Sequence, residues 1–459
     1  MVTNAIMEAK THMKPQGDIG NMQAAACDLG NGAVHILTIP FPAAGHILPH
    51  IDFIHQLLLR GLKVTILVTP KNLHFLNPIL SLYSSSNNVE TLVLPFPSHP
   101  SIPPGVENMV GFPISFGPIF MEAMAELYNP LFQWFQTRPS PPVAIISDML
   151  LSSWVNTLSS NLNIHHLTFM VTNANSTLPL VRKGMKKLSP SIEQFAKNAV
   201  VPSLKSWGII FNTFLELDGD KMEIIKEEFT EHDRLWAIGP LLPIKATNNE
   251  RGGPSSIPRD EVIAWLDSCN RVNSVVFIGF GSQISLTKLQ MEAIASALEE
   301  SRVRFIWGIK GDSQNMVPLG FEDRLAGKGV VIKGWVPQQA ILDHQAVGSY
   351  LTHCGWNSAL EGLLGGALLL AWPMQVDHFD NTNLLVDELG VAIRACEGLT
   401  TVPDPNKLAR VLSKSVSADQ PERARAMKLR QAALDAIQMH GSSYTALNSL
   451  VETLSCIRK

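Results

Sequence analysis

Between Trp335 and His378 the chain reads WVPQQAILDHQAVGSYLTHCGWNSALEGLLGGALLLAWPMQVDH, a stretch whose aromatic and polar residues could together hold a ligand with a flat ring, a diol and an anionic group. Trp335 ends a β-rich run just before a turn and offers a flat indole on which a base can stack, with Gln338 and the backbone of Ala340 near the base edge. Glu361 can accept two hydrogen bonds from a ribose diol as a charge-assisted pair. The segment THCGWNSALE leaves a strand and opens a helix, so the first-turn amides around Gly355 and Trp356, with the positive end of the helix dipole, face an anion. His353, Asn357 and Ser358 add side-chain donors there, and Ser282 in the GFGS turn of an earlier strand adds another. Singly, each has an ordinary explanation: core packing for the Trp, a plain turn for GFGS, a solvated helix face for Glu361. Their joint order and spacing point to chemistry.

These groups need a frame that brings distant residues to one edge. From Ala33 onward, short β-rich runs alternate with helical patterns, which predicts parallel α/β sheets. VHILTIPF (34–41), KVTILVT (63–69), VETLVLPF (89–96), PVAIISD (142–148), HHLTFMV (165–171) and WGIIFNT (207–213) read as strands, with a helix over 48–61. Residues 33–240 are expected to form one Rossmann-like domain, and the Gly/Pro/Ser/Asn-rich residues 241–258 an interdomain linker. The alternation restarts over 259–440 with SVVFIGFGS, RFIWGIK, GVVIKGW, AVGSYLTH and ALLLAWP as strands. Two such sheets would face one another across a cleft at the carboxyl ends of their strands, where ligands of these sheets bind.

Composition excludes several classes. The 459 residues exceed one core and suit two domains. A formal net charge of −4 without a basic stripe excludes nucleic acid as the partner. Five scattered cysteines without a CxxC pair fit a reducing compartment, the cytosol, rather than a disulfide scaffold or a zinc site. No run approaches the roughly 18 apolar residues of a membrane span. Residues 1–32 lack the apolar core of a signal peptide and are expected to be a disordered extension, in which Met7, Met13 and Met22 are further possible starts.

The 335–378 segment resembles the nucleotide-sugar signature of plant family 1 UDP-glycosyltransferases over its full length. The resemblance implies a GT-B fold, α/β with two Rossmann-like domains whose parallel sheets face a central cleft, and a last helix, here within 441–459, packed back on the first domain. It implies that the donor-binding positions are Ser282, Trp335, Gln338, Ala340, His353, Gly355, Trp356, Asn357, Ser358, Glu361, Asp377 and His378. In the family a histidine in a GHxxP turn deprotonates the acceptor, paired with an aspartate at a later strand end; Gly45-His46-Ile47-Leu48-Pro49 and Asp148 match. The family resemblance also implies an inverting transfer, a monomer and no cofactor, the UDP-sugar being a co-substrate. With helix amides and polar side chains on the phosphates, no metal is required, and none is expected. Other runs, among them LLLRGLKVTILVTPKN, LPFPSHPSIPPGVE and NTNLLVDELG, resemble the flavonol 7-O-rhamnosyltransferase branch.

Three departures bear on the donor. His378 stands where most glucosyltransferases of the family have Gln, and an imidazole cannot reproduce the two-ended hydrogen bonding of an amide. Val171 stands near a position often Ser or Thr in glucose-using relatives, although a one-residue shift would place Thr172 there. Leu368 replaces a usual Pro. The first two point to rhamnose moved from UDP-rhamnose to a flavonol hydroxyl, with the 7-position expected because that phenol is acidic; glucose, galactose or arabinose on a related phenolic is the alternative. Phe112, Phe116, Phe120 and Met121 are expected either to flank a planar acceptor or to pack in the core.

Overall fold

The computed structural model describes residues 34–182, 189–244, 253, 255–417 and 419–457. The expected N-terminal extension (1–32) and half of the expected linker (245–252 and 254) lie outside the described residues.

The first sheet contains β1 (His35–Ile39), β2 (Lys63–Val68), β3 (Val89–Val93), β4 (Ala144–Asp148), β5 (His165–Met170), β6 (Gly208–Phe211) and β7 (Leu235–Ala237), in the order β3-β2-β1-β4-β5-β6-β7. The second contains β8 (Val275–Gly279), β9 (Arg304–Ile309), β10 (Gly329–Lys333), β11 (Val347–Thr352), β12 (Leu368–Ala371) and β13 (Ala392–Arg394), in the order β10-β9-β8-β11-β12-β13. Every pairing between these strands is parallel, with registers such as Ile36↔Ala144 and Thr352↔Ala371. Helices cover both faces of each sheet, so the central strands are continuously apolar instead of alternating: Ile145, Ile146, Val276, Phe277 and Ile278 are all fully buried. Parallel strands also deliver their following loops to one edge, and each sheet turns that edge toward the other.

Seven helices bear on the site. They are α1 (Ala44–Leu59), α2 (Ala174–Val181), α3 (Leu215–Phe229), α4 (Lys288–Ser301), α5 (Trp356–Gly365), α6 (Asp377–Thr382) and α7 (Ser442–Cys456). Thr287 starts α4 with a reciprocal capping box to Gln290. α1 begins four residues before the expected Leu48, and the reason is local. Ala43 caps it with extended backbone and no side-chain bond, and Pro49 sits inside the helix, where it reads in sequence as a boundary. Pro49 has no N–H to give to the carbonyl four residues back, so Gly45 keeps a free acceptor. α7 packs on the first sheet through Leu447, Leu450 and Leu454, each worth about 1.5–3 kcal/mol of burial. Asn448 on that helix accepts from Arg60 Nε at 2.7 Å. No helix among the described residues is long and apolar enough to cross a membrane.

Candidate active site

His46 stands on the first turn of α1, and Asp148 closes β4, the strand beside β1. The carboxylate oxygen Oδ2 of Asp148 accepts from Nδ1 of His46 at 2.7 Å, and Oδ1 accepts from the Leu150 amide at 2.9 Å. Asp148 is wholly buried, whereas about a quarter of the His46 side chain (23%) is exposed, on the cleft side. A carboxylate on Nδ1 fixes the proton there and leaves the Nε2 lone pair free. Burial disfavours the imidazolium, but the charge and hydrogen bond of Asp148, assisted by Asp377, outweigh it and raise the His46 pKa above its usual 6.5. This imidazole can take a proton from a group in the cleft.

Across the cleft, the carboxyl edge of the second sheet presents its residues in strand order. Trp335 follows β10, Lys310 follows β9, Ser282 follows β8, His353 follows β11, and Asp377 and His378 follow β12. The Lys310 ammonium lies over the Trp335 ring, 4.1 Å from its centroid. Burial pushes that ammonium down to about 8, against the pull of Glu361. Gln338 donates to Glu361 at 2.7 Å and to Ser358 at 3.3 Å, while its carbonyl accepts from the Tyr350 hydroxyl at 3.0 Å. Gln338 is thereby committed to holding Glu361 in place.

His353 is wedged between two glycines. A Cβ on Gly281 would come 2.6 Å from its ring and one on Gly355 2.5 Å, and Gly281 has φ +71°. Only glycine fits that turn. His353 meets His378 edge to face, with ring centroids 4.6 Å apart. Burial holds both neutral, His353 well below the usual value and His378 at about 3. The Gln375 amide donates to Nδ1 of His378 at 3.3 Å, which leaves that ring a single N–H donor at Nε2. Just before it, Val376 adopts φ 49° and ψ −126°, a conformation that is costly for a β-branched residue and is a mark of functional loops.

Several bonds tie this edge to the first sheet. Asn357 donates to the Gly45 carbonyl at 2.7 Å, the acceptor that Pro49 leaves free. The Trp356 indole donates to the Asn212 carbonyl at 2.6 Å. Asp218 on α3 accepts from the Ala174 and Asn175 amides at the start of α2, and burial raises its pKa to about 7. The neighbouring Asn173 donates to Asn381 at 2.8 Å, and Asn381 donates to the Asp377 carboxylate at 2.9 Å. Burial raises the Asp377 pKa, an effect that Asn381 opposes.

The expected donor positions Ser282, Trp335, Gln338, Ala340, His353, Gly355, Trp356, Asn357, Ser358, Glu361, Asp377 and His378 all line the same cleft of about 1170 Å³ as His46; Asp148 stands behind His46. The side chains of Gln338, Trp356 and Asn357 are engaged by protein groups. Val171 and Thr172 both line it, and so does Met121. Phe112, Phe116 and Phe120 do not; Phe120 is buried in the core and Phe116 packs half-buried against it, while Phe112 is half-buried beside both rings at 5.1 and 6.0 Å. Leu368 is buried at the start of β12. Sequence reasoning missed Lys310, Val376 and the Asp218–Asn173–Asn381 bridge. Only Lys310 carried a signal, its place at the end of a parallel strand. Among the described residues no group of three His, Cys, Asp or Glu is arranged to hold a metal.

The family described as UDP-glucoronosyl and UDP-glucosyl transferase matches residues 258–416, and the glycosyltransferase N-terminal domain matches residues 32–243. An Arabidopsis thaliana flavonol 7-O-rhamnosyltransferase is 46% identical over 430 residues, which are 91% of this chain and 97% of the relative. A flavonol 3-O-glucosyltransferase of the same plant, UGT89B1, is 44% identical over 463 residues, covering 91% and 95%. The crystal structure of Arabidopsis thaliana UGT89C1 complexed with UDP-L-rhamnose superposes with TM-score 0.86 at 46% identity, covering 93% of this chain and 100% of that one. Its complex with quercetin gives TM-score 0.84 at 44% identity, covering 92% and 100%. With both halves matched and two facing parallel sheets of the GT-B kind, the chain belongs to the plant family 1 UDP-glycosyltransferases and is a UDP-glycosyltransferase.

Proposed function

We propose that this enzyme transfers rhamnose from UDP-rhamnose to the 7-hydroxyl of a flavonol, inverting the anomeric centre without a metal, in the cytosol. The observation that carries the chemistry is the His46–Asp148 pair facing Asp377 and His378 across one cleft. Nε2 of His46 takes the phenolic proton. The phenolate oxygen then forms its bond to the anomeric carbon as the bond from that carbon to the β-phosphate oxygen breaks, and UDP leaves with the electron pair from the opposite face. Asp148 stabilises the imidazolium formed. Trp335 stacks the uracil, Glu361 takes the ribose diol, and the amides opening α5, with Ser282, His353 and Ser358, take the diphosphate and its developing charge. Those donors supply the stabilisation that a metal would otherwise give.

Rhamnose rests on two features. His378 has one N–H left to offer, fewer bonds than an amide gives a hexose, and Val171 presents a methyl-lined wall suited to a 6-deoxy carbon. The 46% identical relative named a flavonol 7-O-rhamnosyltransferase supports the same reading. Glucose transfer to the 3-hydroxyl is the second reading. It is favoured by the 44% identical relative named a flavonol 3-O-glucosyltransferase and by the Thr172 hydroxyl on the same wall. The test offers kaempferol or quercetin with equal UDP-rhamnose and UDP-glucose and weighs the products. Deoxyhexose adducts in excess support rhamnose; hexose adducts overturn it. In the same assay His378→Gln raises glucose use roughly tenfold, the worth of one restored hydrogen bond to a polar substrate group.

Tyr350 tests the ribose end. It is buried and its hydroxyl serves Gln338, so Tyr350→Phe leaves an acceptor unsatisfied and loosens Glu361. The donor KM rises about three- to tenfold while kcat stays within about twofold. A fall in kcat at constant KM counts against that role for Glu361.

A further inference from the structure

At the carboxyl edge of the second sheet, β9 lies between β10, which delivers Trp335, and β8, which delivers Ser282. The residue that leaves β9 is Lys310, set between the base platform and the phosphate loop and outside the 335–378 signature. Two cationic side chains line the cleft among the described residues, Lys310 and Arg259, and Arg259 bonds the neighbouring Asp260 at 3.3 Å. Lys310 has no carboxylate within salt-bridge reach among the described residues, and its ammonium rests on the Trp335 ring. Its field reaches Glu361 on one side and His353 on the other. The two histidines of this edge, held neutral by burial, bring no charge to a diphosphate. Lys310 is half-buried, and an ammonium drawn partly out of water is held at a cost unless it is paired; the cation–π contact covers only part of that cost.

We propose that Lys310 is a further donor-binding residue, whose ammonium pairs with the diphosphate of the incoming nucleotide and leaves the Trp335 indole to the base. The inference rests on the donor-site reading given above. Its chemistry is that of a point charge on a flexible stem, able to swing from the ring to a phosphate oxygen. The helix amides then orient the diphosphate and Lys310 supplies its counter-charge.

The test is calorimetric binding of UDP and of uridine to the native enzyme and to Lys310→Met, Lys310→Arg and Trp335→Ala at pH 7. Lys310→Met keeps the apolar stem over the indole; it weakens UDP by roughly 10- to 100-fold and leaves uridine within about twofold, because only the diphosphate loses a charge-assisted bond. Lys310→Arg retains most of the UDP affinity. Unchanged UDP binding in Lys310→Met overturns the proposal. So does an equal loss of UDP and uridine, which would make Lys310 a support of the indole alone. Trp335→Ala separates the two readings. If it leaves UDP and uridine untouched, the donor site itself is misplaced; if it weakens both while Lys310→Met weakens neither, only the role of Lys310 fails.

Discussion

His46→Ala lowers kcat by about 10³- to 10⁴-fold, the range of a lost general base, while UDP binding stays within about twofold. The asymmetry follows from the architecture. His46 follows a strand of the first sheet, and the nucleotide groups follow strands of the second. Rapid-mixing or end-point product assays, with UDP titration on the same preparation, check both halves. A variant that keeps a tenth of the native rate would show that the acceptor ionises without help, and the role given to Asp148 would fall with it.

Asp148→Asn is the second large effect, about 10²- to 10³-fold in kcat, and its signature is in the pH profile. The base acts when neutral, so activity rises with pH through the His46 pKa, which Asp148 holds above 6.5. With the carboxylate replaced by an amide, burial is the main remaining influence and it lowers that pKa. The acidic limb therefore moves to lower pH while the plateau drops. A limb that stays in place would mean that another group sets it. Melting measured alongside excludes a folding defect, since Asp148 also caps the Leu150 amide.

The parallel sheets and both sides of the cleft were legible because their signals are local and repeated. Apolar runs such as AIISD and VVFIG give strands buried on two faces, and the 335–378 residues keep their meaning through fixed spacing. β7 and β13 escaped because three-residue strands carry no usable period. The start of α1 escaped because Pro49 imitates a boundary and Ala43 offers no capping side chain. The bridge through Asp218, Asn173 and Asn381 was invisible for a different reason: its hydrogen bonds span 43 and 208 residues, and nothing local marks their ends as partners. Val376 could not be read either, since a strained backbone shows only in its φ. Gln338 illustrates the limit within the motif itself. Its spacing placed it at the nucleotide, while its partner Tyr350, twelve residues on, decides which way the amide points.

The single acceptor that Pro49 leaves at Gly45 turns the two halves of the enzyme into one linked system. Asn357 has one amide group, and it spends a bond on the helix that carries the base. Whatever free energy this latch lends to nucleotide binding, bound nucleotide must return to the latch in equal measure, because coupling between two equilibria is reciprocal. Any effect of donor binding on this bond is therefore matched by an equal effect of the bond on donor affinity, whichever its sign. A proline in one half, by declining to donate a hydrogen bond, leaves open the acceptor through which the other half is joined to it.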